Sequence, residues 1–380
     1  MRTMIFILIV TTILSIYGLA NYYIFIRGLH ALHPTGTLRI LCAAVFIFLA
    51  VSFVASVFLE RTDIIVLGKP LSWIGSFWLG AFVYFFLIVL AIDLLRLINH
   101  FIAFYPAFVT SNPARSAFVA ALSSISIVVL LLVYGFVNAH IVRIRTFDIV
   151  VNKKAGSLHS LNIVMASDIH LSSIIDRSRI ESIVGKINSL EPDIILLPGD
   201  IVDGDLNPVI DQNSGEALRQ LKAPLGVYAI TGNHEYIGGV EKACKYITDH
   251  GVKLLRDANV FVDRSFYIVG REDLSDRRRR SLNDLMEHVD KNYPVILMDH
   301  QPFHLEEAER NGIDLQLSGH THHGQLWPFN YITDMVYELA YGYLVKGSTH
   351  IYVSSGVGTW GPPLRIAADP EIVNIKLRFQ

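Results

Sequence analysis

A chain of 380 residues that is 52% hydrophobic, with a mean hydropathy of +0.42, is too apolar for an ordinary soluble protein and long enough for two or more domains. Charge divides it: residues 1–140 hold ten Asp, Glu, Lys and Arg side chains and the remaining 240 residues hold 56. The later part carries 25 basic and 31 acidic side chains, which excludes the overall basic field that a DNA or RNA partner requires.

Four uncharged stretches, Ile5 to Ile26, Ile40 to Leu59, Leu71 to Ile92 and Ser116 to Ala139, are each about as long as the roughly 20 residues a helix needs to cross a bilayer. The expected organisation is a four-helix transmembrane domain over 1–140 and a water-soluble domain over 141–380. The first stretch is too long for a signal peptide, lacks a small-residue cleavage pattern and is followed by further spans. Arg2, Arg61, Lys69, Arg143, Arg145, Lys153 and Lys154 flank the spans on the side shared with the soluble domain; Arg27, Arg39, Arg96 and Arg115 lie in the opposite loops. This bias predicts a multi-pass cell-membrane protein with its soluble domain in the cytoplasm. Cys42 and Cys244 stand in different domains, so no internal disulfide is expected. No charged residue falls within the four stretches, which argues against a transporter, and Asp93 with Arg96 reads as an interfacial i, i+3 pair.

From Ala139 to Phe147 only about seven residues intervene, reaching roughly 25 Å at full extension, so the soluble domain stays near the lipid headgroups. Beyond Phe147 come the runs "LNIVMASD", "DIILLPGD", "GVYAITGN", "SFYIVG", "PVILMDH", "LQLSGH" and "HIYVSSG", whose near-continuous Val, Ile and Leu predict strands buried on both faces. The interleaved "IESIVGKINSL" and "VEKACKYITDHG" have helical spacing, and the fold class expected is an α/β sandwich. The run Arg277 to Arg280 reads as a solvated face or the start of a charged helix, with a phosphate-attracting rim as the alternative.

These strands end in residues of one chemical kind: Asp168 and His170, Asp200, Asn233 and His234, His300, then His320 and His322. Loops beyond the carboxyl ends of strands form the ligand crevice of α/β folds, so the set predicts one site, and its composition is that of metal ligands. Strand alternation would turn Asp168 and His170 to one side, with Ile169 turned away. The same pattern at His320 and His322 turns Thr321 inward and puts His323 out of phase, as a rim residue. Gly319 and Gly324 would let the backbone approach the site closely.

"DIH", "GDIVD", "GNHE", the lone His in "MDHQP" and "GHTH" stand in the order and approximate spacing of the calcineurin-like metallophosphoesterase superfamily, which residues 147–380 resemble. "GHTHHGQLWP" and the closing "SSGVGTWGPPLR" through "PEI" resemble its membrane-attached subgroup; His323 departs from the glycine more usual there. The resemblance implies one metal held by Asp168, His170, Asp200 and His322 and another held by Asp200, Asn233, His300 and His320, with Asp200 bridging. It implies that His234 lies over the substrate as a charge stabiliser or proton donor, and Asp203 is the candidate to orient it. Two cations about 3.5 to 4 Å apart can activate a hydroxide and bind the phosphoryl oxygens in an in-line displacement. Imidazole, carboxylate and amide ligands without thiolate suit manganese, iron or zinc and select none of them.

The expectation is a membrane-bound two-metal phosphohydrolase, with a phosphodiester preference that rests on the resemblance alone and a lipid-linked substrate favoured by the bilayer's proximity. A phosphoprotein or other phosphomonoester phosphatase stays open, as does a catalytically silent sensor or scaffold.

Overall fold

The computed structural model describes residues 2–59 and 65–380. Arg61, counted above for sidedness, lies outside the described residues. Contacts divide the chain into two compact units, Met1–Tyr134 and Gly135–Gln380.

The first unit is built from α1 (Arg2–Leu32), α2 (Gly36–Leu59), α3 (Ile65–Ile102) and most of α4 (Pro113–His140). All four are long and apolar enough to cross a membrane. Small residues let α2 and α3 pack closely: a Cβ added to Gly75 would lie 2.4 Å from Phe53 Cα. Asp93 and Arg96 pair at 3.3 Å as expected, and Arg27 reaches the same carboxylate at 2.6 Å, which ties α1 to α3.

The second unit contains β1 (Arg143–Val151), β2 (Ser160–Met165), β3 (Ile194–Pro198), β4 (Val227–Ile230), β5 (Lys253–Leu254), β6 (Ala258–Val262), β7 (Phe266–Gly270), β8 (Val295–Met298), β9 (Leu315–Ser318), β10 (Gly342–Lys346), β11 (Thr349–Val353) and β12 (Glu371–Phe379). They form two six-stranded sheets, ordered β1-β12-β2-β3-β4-β5 and β10-β11-β9-β8-β7-β6. β2 to β5 run parallel in the first sheet, as do β7, β8, β9 and β11 in the second. All seven expected apolar runs form strands.

Alternation along these strands builds a layered core. Ile163, Met165, Ile194 and Leu196 of the first sheet meet Ile268, Ile296, Met298, Leu315 and Leu317 of the second. Val164, Ile195 and Leu197 face outward and pack on Ile180, Ile183 and Ile187 of α5 (Arg177–Asn188). The strands are apolar on both faces because both faces are covered. Register fixes the depth of the strand ends: Met165 lies opposite Leu196, and Pro198 opposite Ile230. The loops that follow β2, β3, β4, β8 and β9 therefore leave the sandwich along one edge.

No helix begins in the Arg277 to Arg280 run, because the segment is an irregular turn. Its members divide: Arg278 is exposed, whereas Arg279 is partly buried and pairs with Asp299 at 2.6 Å.

Candidate metal centre

Asp168 and His170 follow β2, Asp200 follows β3, and Asn233 and His234 open the short helix α6 (Asn233–Gly238) after β4. His300 follows β8, while His320 and His322 follow β9. All the sequence-predicted site residues come together here. Asp168, His170, Asp200, His300 and His322 are buried, whereas Asn233, His234, His320 and Asp203 are partly open.

The local geometry differs from the alternating extended chain expected. Asp168, His170 and Asp200 have φ of 54°, 55° and 52°, and His320 and His322 have 72° and 47°. For non-glycine residues this left-handed conformation costs on the order of 1–3 kcal/mol each, and it persists where packing enforces it. Each left-handed residue reverses the chain, so paired side chains converge through turns; His322 even starts a short 3-10 turn. Thr321 does turn inward, donating its hydroxyl to the Ala340 carbonyl at 2.6 Å. His323 pairs with Asp334 at 3.3 Å and stacks on Tyr341, a rim position. Gly319 is needed for close approach, since a Cβ there would lie 2.3 Å from Asp168 Oδ2. Gly324 serves a different purpose from the one expected: a Cβ there would strike Asn330 and Phe329, away from the ligands.

Backbone and side chains lock the carboxylates. Asp168 Oδ1 accepts the His320 N–H at 2.8 Å, and Asp200 Oδ1 accepts the His234 N–H at 2.9 Å. His300 Nδ1 lies 2.8 Å from the Pro198 carbonyl and donates its proton there, which turns Nε2 toward Asp200 Oδ2, 3.0 Å away. His320 Nδ1 meets Asn233 Oδ1 at 2.8 Å. His170 Nε2 and His322 Nε2 face each other at 2.9 Å.

These atoms fit a pair of divalent cations. Among the described residues Asp168 Oδ2 is buried without a hydrogen-bond partner, and His300 Nε2 faces only the Asp200 carboxylate, a costly arrangement for atoms that have no other purpose. Asp168, His170 and His322 offer ligand atoms within 4.8 Å of one another, and so do Asp200, His300 and His320. Oxygen and imidazole nitrogen donors at that spacing match the chemistry of manganese, iron or zinc.

Electrostatics reinforce the fit. Burial raises the Asp168 carboxyl. Burial opposes ionisation of Asp200 too, but His300 and His170 outweigh it and hold this carboxyl well below the usual range. Burial pushes His320 down to about 4, assisted by His300, and drives His322 well below the usual imidazole value, assisted by Arg365. These two are thus neutral, the form a metal binds; His300 differs, because Asp200 and Asp168 outweigh its burial and raise it well above the usual imidazole value.

His234 differs from the ligands. Its Nδ1 lies 2.6 Å from Asp203 Oδ1. Burial opposes its charge, but the hydrogen bond to Asp203 and the charges of Asp200, Asp203 and Glu235 outweigh this and lift it to about 9. It is therefore a proton-bearing group at neutral pH. The same Asp203 oxygen lies 3.3 Å from His170 Nδ1, a contact that the sequence reading did not anticipate.

Two further residues were missed. Glu235 is buried and accepts the backbone N–H groups of Asp200, Ile201, Val202 and Gly232, joining the loop after β3 to the loop after β4. Arg365 is buried too; it donates to the carbonyls of Ser355, Gly358 and His322 and approaches His322 Nδ1 at 3.0 Å. Their only signal lay inside motifs already quoted, the last letters of "GNHE" and "GPPLR". The centre opens into a cavity of about 420 Å³ with Asp200, Asn233, His234, His320 and His322 on one side. The other wall is largely apolar, formed by Phe329, Ile332, Tyr337 and Trp360.

Comparison with known proteins agrees with this arrangement. The family model for calcineurin-like phosphoesterases matches residues 161–324. A zebrafish (Danio rerio) transmembrane protein with metallophosphoesterase domain is 33% identical over 282 residues, covering 70% of this chain and 64% of the relative, so the chain spans less than two thirds of that protein's length. An uncharacterized metallophosphoesterase of Aquifex aeolicus is 32% identical over 261 residues, 66% of this chain and 98% of the relative. One from Campylobacter jejuni is 29% identical over 390 residues and covers 99% of both chains, apolar helices included. With its ligand-type residues gathered at the strand ends and relatives matched over nearly their whole length, the chain belongs to the calcineurin-like metallophosphoesterase family.

Proposed function

We propose that the protein is a membrane-bound, two-metal phosphohydrolase acting on phosphodiesters, with residues 1–140 as its transmembrane domain and 141–380 as its catalytic domain on the cytoplasmic side. The observation that carries this reading is the convergence of seven ligand-type side chains from five strand ends, of which Asp200, Asn233, His320 and His322 line one cavity beside a histidine that is not one of them. Asp168, His170, Asp200 and His322 would hold one cation; Asp200, Asn233, His300 and His320 would hold the other. Such a pair supplies Lewis acidity toward the phosphoryl oxygens and a lowered pKa for water, the two needs of in-line displacement at phosphorus.

The chain's own residues do the rest. Asp200, kept ionised, presents a carboxylate that both cations would share. His234 Nδ1 is committed to Asp203, so its transferable proton is the one on Nε2, available to the departing oxygen. Asp203 fixes that ring and the His170 ring with one oxygen. Arg365 fixes the His322 ring from behind.

The test is manganese-dependent hydrolysis of a chromogenic phosphodiester and the matching monoester by the detergent-purified full chain, beside Asp200→Ala. Diester turnover that vanishes in the variant supports the reading. Preferential monoester turnover would make the protein a phosphomonoesterase. No turnover of either ester by folded, metal-loaded protein would favour a sensor or scaffold. Digestion of the second unit by an impermeant protease outside intact cells would overturn the cytoplasmic placement.

A further inference from the structure

The apolar wall of the cavity continues onto the surface. It is carried by α8 (Phe329–Val336), an eight-residue helix that buries none of its side chains. Tyr331 is 58% exposed, Ile332 51%, Met335 78% and Val336 56%, and Trp327 and Trp360 beside them are half exposed. Isolated exposed apolar residues are ordinary, but a contiguous group at the mouth of a site marks a surface that meets something apolar. Phe329, Ile332 and Tyr337 line the cavity, and the Tyr337 ring meets that of His320 at 6.0 Å between centroids, so apolar surface extends from α8 to a ligand-type residue. The one charged residue of the helix, Asp334, is paired with His323. Tryptophan and tyrosine together with aliphatic side chains compose the face that a helix presents when it lies in a membrane interface.

The chain itself supplies the reason for choosing a bilayer as the apolar partner. The last turn of α4, from Gly135, belongs to the second unit. There the Gly135 carbonyl accepts the Arg365 N–H at 2.9 Å, and Asn138 Nδ2 donates to the Arg365 carbonyl at 3.1 Å. A Cβ on Gly135 would lie 2.7 Å from Ile366. The segment gripped in this way carries Trp360, and Gln325 draws it toward α8 through the carbonyls of Trp360 and Pro362, both at 3.0 Å. The C-terminal end of α4, within the second unit, is thus hydrogen-bonded to the segment that carries Trp360.

We propose that α8, with Trp327 and Trp360, inserts into the leaflet from which α4 emerges and seats the hydrocarbon part of a lipid phosphoester at the mouth of the catalytic cavity. The phosphate then reaches the metal ligands while the hydrocarbon stays on Ile332, Tyr337 and Trp360. This rests on the phosphoesterase reading above and narrows its substrate class to membrane lipids.

The test uses the full chain reconstituted in vesicles of phosphatidylcholine and phosphatidylglycerol. Met335→Cys carries an environment-sensitive fluorophore, and Lys245→Cys on α7 (Val240–Asp249), whose side chain is 76% exposed, is the control. Spin-labelled lipids should quench the label at 335 and spare the one at 245. Equal, weak quenching at both positions overturns the proposal. So does a label at 335 shielded from aqueous iodide yet untouched by spin-labelled lipid, which would place a protein surface on α8. This readout is independent of turnover, so it can fail while the phosphoesterase reading stands. In a second arm, Tyr331→Glu with Met335→Glu should lower the ratio of phosphatidylglycerol to soluble diester hydrolysis about tenfold, the scale of losing burial of such side chains. An unchanged ratio contradicts the proposal.

Discussion

Glu235 offers the sharpest test of how the centre is built, because its carboxylate is the acceptor for four backbone donors. Oε1 accepts from Ile201 at 2.7 Å and Val202 at 2.9 Å; Oε2 accepts from Gly232 at 2.7 Å and Asp200 at 3.2 Å. Glu235→Gln preserves the shape but turns an amide NH₂ toward one of these pairs, so two bonds are lost and donors face donors. Leaving a buried donor unsatisfied costs about 1–3 kcal/mol, so this substitution should cost about 2–6 kcal/mol. Glu235→Ala exposes all four donors to the same loss, and even with water entering the space the total, about 4 kcal/mol or more, approaches a typical domain stability of about 5–15 kcal/mol. For a domain of this size each kcal/mol lowers Tm by about 2–4 °C. Thermal unfolding followed by tryptophan fluorescence in detergent should therefore show Glu235→Gln melting at least about 4 °C below the parent, and Glu235→Ala failing to accumulate. A Glu235→Gln protein that melts within about 1 °C of the parent and retains its metal would refute the anchoring role.

Arg365→Lys keeps a cation but loses the planar donor set that holds the His322 ring, so the manganese concentration for half-maximal hydrolysis should rise about 10- to 100-fold; an unchanged value would refute the positioning role. His234→Asn should lower turnover by about 10²–10⁴, with the larger loss for esters of poor leaving groups, since the proton on Nε2 matters most there. An equal loss for good and poor leaving groups would assign His234 to charge stabilisation instead. Gly358→Ala would place a Cβ 2.1 Å from the Ile169 carbonyl oxygen, between the two ligands after β2, and should reduce metal content and Tm together; a normal melting curve with full metal would contradict this packing.

Much of this architecture was legible in the sequence because the physics that sets it is local. Strands covered on both faces need unbroken Val, Ile and Leu, so β2, β3, β4, β8 and β9 announced themselves. Their polar ends named the site. β1 and β12 escaped notice because they pair with each other across the whole domain, and β1 exposes Arg143 and Arg145. The left-handed turns at Asp168, His170 and Asp200 were hidden as well, since tertiary packing, not residue type, enforces them. Alternation thus led to side chains that do converge, but through a backbone that does not alternate. Arg365 stands 43 residues from the histidine it supports, a separation only the folded chain can close. The exposed face of α8 could not be read either, because an apolar run carries no mark of which side will be left uncovered.

The account turns most directly on metal occupancy. Elemental analysis of the purified full chain should find two divalent ions per molecule, and Asp200→Ala, lacking the carboxylate shared by both positions, should hold one at most. A single ion in the parent protein, or two retained after Asp200 is removed, would contradict the two-metal centre.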